Sequence, residues 1–160
     1  GVMYTGWKTV NGKKYYYNEN GVAVTGWQTI DGKKYFFMPE GYMMTGWISF
    51  GQTRYYLMPD GHMLTGWCSF GSTKYYLASD GKMVRGWQTI DGKRYYFNDD
   101  GTMRYGWIYN GKSWCYLDST GKMIRGWQVI GGKKYYFDAN GVMKTGMMFL
   151  DGQWINLNNV

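Results

Sequence analysis

The sequence predicts an all-β solenoid of stacked β-hairpins, with one hairpin for each of eight 20-residue repeats. Three observations lead to this prediction. A Gly-Trp pair recurs every 20 residues without slipping, two-residue turn signals occupy a fixed place in each copy, and apolar residues alternate with polar ones beside these turns. A single hairpin is marginal in water, so successive hairpins must stack. We therefore expect residues 1–160 to form a single repeat domain.

Glycines mark the repeat. The Gly-Trp pair occurs at Gly6-Trp7, Gly26-Trp27, Gly46-Trp47, Gly66-Trp67, Gly86-Trp87, Gly106-Trp107 and Gly126-Trp127, and becomes Gly146-Met147 in the eighth copy. A second glycine opens each copy at Gly1, Gly21, Gly41, Gly61, Gly81, Gly101, Gly121 and Gly141. Counted from this opening glycine, the Gly-Trp tryptophan is at position 7 of the repeat.

The third set of glycines predicts the hairpin turns. Type I′ turns, whose two central residues both have positive φ, are indicated at Asn11-Gly12, Asp31-Gly32, Asp91-Gly92 and Asp151-Gly152. Type II′ turns, which need glycine first, are indicated at Gly51-Gln52, Gly71-Ser72 and Gly111-Lys112, while Gly131-Gly132 fits either type. All of them occupy the same two positions, so the strand pairing should be the same in every copy.

This pairing predicts two different hairpin faces. It places Trp7 opposite Tyr16 and Thr9 opposite Lys14 on one face, and Val10 with Tyr17 on the other. We interpret the second face as the core because it is apolar in nearly every copy. Its members are Val10, Ile30, Phe50, Phe70, Ile90, Ile130 and Leu150 at position 10, and Tyr17, Phe37, Leu57, Leu77, Phe97, Leu117, Phe137 and Leu157 at position 17.

The connectors and the last copy complete the pattern. A methionine follows the opening glycine in most copies, and we interpret these methionines as flexible filler between hairpins. In the last copy, at about 141–160, Met147 and Trp154 replace the usual tryptophan and basic residue. This degenerate copy is predicted to cap the stack.

Composition excludes several classes of function. The formal charge of +7 suits an anionic wall polymer, a nucleic acid or a membrane surface, but the repeat already explains the spacing of cations and rings, so we expect no nucleic acid partner. No run of 18 apolar residues is present, so membrane insertion is not expected. Cys68, Cys115 and His62 are too few for a disulfide framework or a metal cluster.

An enzyme is not predicted either. The carboxylates, such as Asp31, Asp91 and Asp118, fall in hairpin turns or connectors, where turn chemistry explains them. No nucleophile–histidine–acid set or phosphate loop is recognisable. We therefore expect no catalytic residue, no metal and no cofactor.

The repeat unit resembles a known family. A unit such as Gly86-Trp87-Gln88-Thr89-Ile90-Asp91-Gly92-Lys93-Arg94-Tyr95-Tyr96-Phe97, followed by a polar connector, is similar to the cell-wall-binding (choline-binding) repeats. It also resembles the glucan-binding repeats of glucosyltransferases and the short repeats of clostridial toxins. The resemblance implies a hairpin solenoid, a secreted or cell-surface location, and a binding role beside an upstream domain of a larger protein.

The resemblance also implies where a ligand would bind. In choline-binding members, two tryptophans of one repeat and an aromatic residue or methionine of the next form a cage. The second tryptophan comes at position 14, which in this chain holds Lys14, Lys34, Arg54, Lys74, Arg94, Trp114, Lys134 and Trp154. A cation there removes a ring and repels a quaternary ammonium. The best candidate is therefore Trp107 with Trp114, closed by Met123, Trp127 or Tyr136.

The other Gly-Trp tryptophans allow two interpretations. Trp7, Trp27, Trp47, Trp67 and Trp87 either stack on a ligand such as a sugar ring or only pack hairpin against hairpin. The leading hypothesis is a non-catalytic module that attaches a secreted Gram-positive protein to a cell-wall polysaccharide or glycan, or to choline on teichoic acid. The alternatives are a receptor-binding repeat of a toxin or adhesin that recognises host glycans, and a purely structural spacer.

Overall fold

The computed structural model describes residues 2–159, which form a succession of two-stranded antiparallel hairpins about 20 residues apart. The chain divides into two compact units, Gly1–Val84 and Arg85–Val160. The all-β prediction with one hairpin per repeat is confirmed, and the single-domain arrangement stays a prediction. None of the helical turns in residues 2–159 has the length and apolarity needed to cross a membrane.

Four hairpins make up the first unit. Their strands are β1 Gly6–Val10, β2 Lys13–Tyr17, β3 Gly26–Ile30, β4 Lys33–Phe37, β5 Gly46–Phe50, β6 Thr53–Leu57, β7 Gly66–Phe70 and β8 Thr73–Leu77.

The second unit holds the remaining hairpins and one short 3-10 turn. The elements are β9 Gly86–Ile90, β10 Lys93–Phe97, β11 Gly106–Tyr109, β12 Trp114–Leu117, β13 Gly126–Ile130, β14 Lys133–Phe137, β15 Met143–Lys144, β16 Met147–Leu150, β17 Gln153–Asn156 and the 3-10 turn η1 Leu157–Asn159.

The predicted turns and strand pairing are confirmed. Asn11 has φ of 50° and Gly12 has φ of 76°, as a type I′ turn requires, and Trp7 pairs with Tyr16. Both glycines of Gly131-Gly132 have positive φ, which makes this turn type I′ as well. Because every turn keeps the same two positions, every hairpin pairs position 7 with position 16.

A third short segment joins each hairpin, and the sequence did not predict it. The connector turns back so that Met43 bridges Phe37 in antiparallel fashion, and the same bridge links Leu57 to Met63. The Met43 amide then donates a hydrogen bond of 2.7 Å to the carbonyl of Lys14, two repeats earlier. Within each unit, backbone hydrogen bonds of this kind therefore tie a connector to an earlier hairpin, in addition to side-chain packing.

Position 17 forms the core of each unit, but position 10 does so only in part. The side chains that are fully inaccessible to solvent are Phe37, Leu57, Leu77, Phe97, Leu117 and Phe137, all at position 17. At position 10, Ile30 and Ile90 are buried, whereas Val10, Phe50 and Phe70 are exposed. The core prediction is wrong for these three, whose position lies next to the turn, whereas position 17 lies at the opposite end of the strand pair.

The connector methionines occupy the space above the next opening glycine. A Cβ atom built on Gly61, whose φ is 94°, would lie 2.1 Å from the sulfur of Met43. Gly81 stands in the same relation to Met63. Met83 and Met103 are buried, which agrees with the filler interpretation. The opening glycine is thus required both by its backbone conformation and by the thioether that covers it.

The last hairpin and the two cysteines complete the description of the fold. Met147, Phe149 and Trp154 of the last hairpin are more than half exposed, and the capping role of this repeat stays a prediction. Both cysteines are free thiols, with Cys115 buried and Cys68 only half-buried.

Candidate functional site

The Gly-Trp tryptophans pack against an aromatic ring of their own hairpin, and four of them also pack against a ring of the next hairpin in the same unit: Trp7, Trp27, Trp47 and Trp107. The Trp7 ring lies 5.2 Å from that of Tyr16 in its own hairpin and 5.0 Å from that of Tyr35 in the next, in edge-to-face geometry. Trp107 repeats the arrangement, with Tyr116 at 5.1 Å and Tyr135 at 4.9 Å. Offset and edge-to-face pairs of this kind stabilise an interface beyond the area they bury. The inter-hairpin packing role predicted for these tryptophans is therefore present at Trp7, Trp27, Trp47 and Trp107.

The same rings remain accessible to solvent. Trp7 is 36% exposed, Trp27 is 37% exposed and Trp67 is 40% exposed. The other four, at Trp47, Trp87, Trp107 and Trp127, are half-buried. Packing through one edge leaves part of each ring open in a groove, so the two predicted roles do not exclude each other.

The residue at position 14 determines which side chain lies over the solvent-accessible ring of the tryptophan at position 7. The guanidinium carbon of Arg54 is 4.6 Å from the ring centre of Trp47, and that of Arg94 is 5.1 Å from the ring centre of Trp87. The Lys134 ammonium lies 5.5 Å from the ring centre of Trp127. In these repeats the protein's own cation occupies the π face that an external cation would need.

One repeat departs from this pattern and forms an aromatic cleft. Trp107 and Trp114 face each other across β11 and β12, with ring centres 6.1 Å apart and ring planes at 90°. Together with Met143 they line a cavity of about 350 Å³. Trp114 is 43% exposed and is supported from behind by Tyr109, whose ring centre is 5.1 Å away. Two perpendicular π faces and a polarizable thioether can surround a compact organic cation.

Comparison with known repeat families matches nearly the whole chain. The sequence profile described as the choline-binding repeat matches residues 4–28, 24–66, 45–85, 84–126 and 124–158. The chain belongs to the choline-binding repeat family. The family resemblance predicted from the repeat motif is thus confirmed. None of the curated proteins compared with this chain matches it.

Solved structures of choline-binding proteins share the fold. Choline-binding protein CbpJ of Streptococcus pneumoniae is 35% identical, with a TM-score of 0.90 over 97% of this chain and 57% of CbpJ. CbpF of the same species, solved in the presence of a peptidoglycan analogue, is 32% identical, with a TM-score of 0.87 over 97% of this chain and 56% of CbpF. The chain therefore spans little more than half the length of these relatives.

A phage enzyme carries similar repeats. The pneumococcal cell-wall endolysin of phage Cp-1, solved as a complex with choline, is 32% identical to this chain, with a TM-score of 0.53. The match covers 75% of this chain and 37% of the endolysin. Choline-binding repeats of this kind thus occur as one part of a larger protein.

The described lining of this cavity does not include the residues predicted to close the choline-type cage, and their role in closing it stays a prediction. Trp127 and Tyr136 form their own edge-to-face pair, with ring centres 5.2 Å apart, in the next hairpin. Met123 covers Gly141, where an added Cβ would lie 2.4 Å from its sulfur. The described lining of the cavity contains Met143 instead, which sequence reasoning did not select.

The place of Met143 beside Trp114 can be inferred once the backbone hydrogen bonds of the connectors are known. The amide of Met43 bonds the carbonyl of Lys14, and the amide of Met123 bonds that of Arg94. In these repeats the position-14 residue thus lies beside the methionine 29 residues later, and Met143 stands at the same sequence distance from Trp114. The backbone bonds that create the relation come from the connector segment, which the sequence did not predict to pair.

The remaining predicted tryptophans have no second tryptophan at position 14. Trp7, Trp27, Trp47, Trp67 and Trp87 share their hairpins with a lysine or arginine there. Within residues 2–159, no group of three histidine, cysteine or acidic side chains is arranged to hold a metal ion.

Proposed function

We propose that this chain is a non-catalytic attachment module that holds a secreted or surface protein to a choline-bearing teichoic acid of a bacterial wall. The observation that carries this proposal is the cleft of Trp107, Trp114 and Met143. A quaternary ammonium has no N–H to donate, so its recognition depends on π faces and on van der Waals contact. Two rings at right angles supply both faces in a cavity of suitable size.

The proposal assigns one strong choline site to the chain. At Trp47, Trp87 and Trp127 an arginine or lysine lies 4.6 to 5.5 Å from the ring centre. A ligand cation at these rings would displace the internal cation and then lie beside it. Both steps oppose binding, because the internal cation–π contact is lost and two like charges approach.

A second candidate ligand is a wall glycan. The observation that favours it is the exposure of 36 to 40% at Trp7, Trp27 and Trp67, because a half-open ring in a groove can stack on a sugar. Each such groove would bind weakly, and repetition along the polymer would raise the overall avidity. The structure of CbpF was solved in the presence of a peptidoglycan analogue. A muropeptide is therefore the appropriate probe for glycan binding by this chain.

The module is proposed to work beside another domain. The Cp-1 endolysin combines similar repeats with the rest of a longer chain, of which the match covers 37%. An upstream domain in the full-length protein would supply any activity, and the repeats would supply attachment. The toxin or adhesin role and the spacer role remain alternatives that the following titration separates from this one.

The test is a choline titration followed by calorimetry and by intrinsic tryptophan fluorescence. We expect one molar equivalent of choline to bind with a change in fluorescence. The neutral isostere 3,3-dimethylbutan-1-ol should bind at least about fivefold more weakly, because it lacks the charge that the π faces attract, a contribution of about 1 kcal/mol. Equal binding of the two compounds, or binding of neither, would refute the choline proposal.

Two alanine variants locate the site. Trp114→Ala is expected to weaken choline binding by about tenfold, because one ring of the cage is lost. Trp47→Ala is expected to leave it unchanged, since Trp47 faces Arg54 rather than a second tryptophan. Equal losses in the two variants would mean that the tryptophans act only through stability. Trp154→Ala is the matched control, because Trp154 is also at position 14 but its hairpin has Met147 instead of a tryptophan at position 7.

A further inference from the structure

Four asparagines of this chain are followed directly by glycine. They are Asn11, Asn20, Asn110 and Asn140. The side-chain amide of an asparagine can react with the backbone nitrogen of the next residue, and glycine permits this most readily because it has no side chain to hinder the approach. The reaction releases ammonia and leaves an acid in place of the amide. The four sites have different surroundings in the structure, so their rates in the folded protein should differ.

The backbone of the connectors holds two of the four sites. The Gly21 amide donates a hydrogen bond of 2.9 Å to the carbonyl of Asn18, and the Gly141 amide donates one of 2.9 Å to the carbonyl of Asp138. The glycine nitrogen must lose its proton before it attacks, and a proton held by a carbonyl acceptor is harder to remove. The asparagines that precede these two glycines should therefore react slowly.

Methionine side chains cover the same two glycines. A Cβ atom built on Gly21 would lie 2.6 Å from the Cγ atom of Met3, and one built on Gly141 would lie 2.4 Å from the sulfur of Met123. A Cβ atom built on Gly111 would meet no other atom within 4 Å. Closing a ring between asparagine and glycine requires the backbone to rotate, and packed side chains resist this rotation where open space does not.

The Asn110 side chain carries two hydrogen bonds that favour the reaction. Its Oδ1 atom accepts a bond of 3.0 Å from the Lys112 amide and one of 2.9 Å from the Ser113 amide. When the Gly111 nitrogen attacks the side-chain carbonyl carbon, negative charge develops on this oxygen atom. Donors that already point at a developing oxyanion lower the barrier. Asn110 is also exposed, so water can reach it.

The loop of the sixth hairpin is longer than the turn of the first. In the first hairpin, strand pairing continues up to the two-residue turn itself. In the sixth hairpin, pairing stops at Tyr109 and Trp114, and the loop 110–113 is closed by a bond of 3.1 Å from the Asn110 amide to the Ser113 carbonyl. Such a loop allows more backbone rotation than a type I′ turn, whose two central residues are both fixed at positive φ.

We propose that Asn110 is a site of spontaneous deamidation in the folded protein, and that it reacts fastest of the four. The Gly111 nitrogen gives its proton to solvent and forms a bond to the Cγ atom of Asn110. The Cγ–Nδ2 bond breaks, and the amide group leaves as ammonia after it takes a proton from solvent. The five-membered imide that results is opened by one water molecule. Opening at one carbonyl gives aspartate, and opening at the other gives isoaspartate.

Either product changes the surroundings of the aromatic cleft. Asn110 follows Tyr109, whose ring centre lies 5.1 Å from that of Trp114. Aspartate adds a negative charge beside this pair of rings. Isoaspartate adds one methylene group to the backbone that connects Tyr109 with Trp114. The environment of Trp114 should therefore change as the protein ages, whichever ligand the cleft binds.

The test is peptide mapping by mass spectrometry while the folded chain is incubated at neutral pH. Deamidation raises the mass of the peptide that carries it, and chromatography separates the isoaspartate form. We expect Asn110 to be converted at least about fivefold faster than Asn20 and Asn140, a ratio that corresponds to the contribution of one hydrogen bond to the barrier. A rate at Asn110 that is no higher than the rate at any of the other three would overturn the proposal.

The chain denatured in urea is the control for local sequence. All four sites share the same Asn-Gly pair, so their rates should become similar once the hydrogen bonds and methionine contacts are lost. If Asn110 keeps the same advantage in urea, its sequence neighbours cause the selectivity, and the argument from the structure is wrong.

Two serine variants test the effect on the cleft. Asn110→Ser keeps a side-chain oxygen in the turn and cannot deamidate. Intrinsic tryptophan fluorescence of the wild type should drift during incubation, and that of Asn110→Ser should stay constant relative to the fresh variant. Asn140→Ser is the matched control and should drift as the wild type does. Equal drift in wild type and Asn110→Ser would overturn the connection between this modification and the cleft.

Discussion

Replacing Arg54 by tryptophan should create a second choline site in the first unit. The surroundings of Trp47 already match those of Trp107. Trp47 lies 5.1 Å from both Tyr56 and Tyr75, and Trp107 lies 5.1 Å and 4.9 Å from the equivalent rings. The residues that differ include Arg54, whose guanidinium lies over the Trp47 ring and which stands in place of Trp114, and its cross-strand partner Ser49, which stands in place of Tyr109.

The gain in affinity can be estimated from two terms. A second ring adds about 0.5–2 kcal/mol of cation–π attraction for a quaternary ammonium. Removal of the arginine also removes a like charge, whose repulsion at about 4 Å is at least about 1 kcal/mol in a water-like medium. A sum of about 2 kcal/mol corresponds to roughly thirtyfold tighter binding at this groove. The third wall is present as well, because the Met83 amide bonds the carbonyl of residue 54.

The assay is the stoichiometry of choline binding by calorimetry. Arg54→Trp should take up two equivalents where the wild type takes up one. Arg54→Leu is the control, since it removes the charge without adding a ring and should leave one strong site. If Arg54→Trp folds normally and still binds a single equivalent, two rings at positions 7 and 14 are not sufficient, and the reasoning about the internal cation is wrong.

Three further predictions concern stability and are checked by denaturant unfolding with circular dichroism. Gly61→Ala should destabilise its unit by about 1 kcal/mol more than Gly46→Ala. Both glycines have positive φ, but only at Gly61 would the added Cβ clash with a methionine side chain, so equal losses of stability would contradict this reasoning. Leu77→Ala, at a fully buried position, should cost about 2–5 kcal/mol, whereas Phe149→Ala, at an exposed one, should cost less than about 1 kcal/mol. Burial raises the pKa of the Asp118 carboxyl group. Hydrogen bonds from the side chain and backbone of Thr120 and from the backbone amide of Lys122 outweigh this effect, so the pKa lies below its usual value. The ionised Asp118 carboxylate therefore contributes fully to stability above the ordinary pKa near 3.8, and this contribution is lost as the pH falls through the lower pKa of the folded protein. Asp118→Asn should therefore make the free energy of unfolding fall less steeply with decreasing pH in this acid range. An unchanged pH dependence in this range would refute this.

Local chemistry made the hairpins predictable from the sequence. A two-residue turn with asparagine or aspartate before glycine has few backbone conformations available, and it fixes the partners of both strands. Hence Trp7 opposite Tyr16 followed from Asn11-Gly12 alone. Burial at position 17 also followed, because a position that is apolar in nearly every copy marks the face turned to the interior.

Contacts between repeats were harder to predict. The bridge from Met43 to Phe37 and the bond from its amide to Lys14 depend on how the connector folds back, and a polar connector carries no alternation that would reveal this. The exposed Phe50 likewise packs against Trp27 and Phe36 of the preceding hairpin, a contact between repeats that the alternation within one strand does not reveal. For the same reason the sequence offered Met123, Trp127 or Tyr136 to close the cleft and did not select Met143, which lines it.

The sequence by itself determined the hairpins, their turns, their pairing and the presence of two tryptophans on one face at Trp107 and Trp114. Those features depend on neighbours within about ten residues, whose geometry is set by backbone chemistry. Only the tertiary structure decided which side chain completes the cleft and that Arg54 covers the Trp47 ring. These features depend on how one repeat is placed against the next, which results from the packing of many side chains at once.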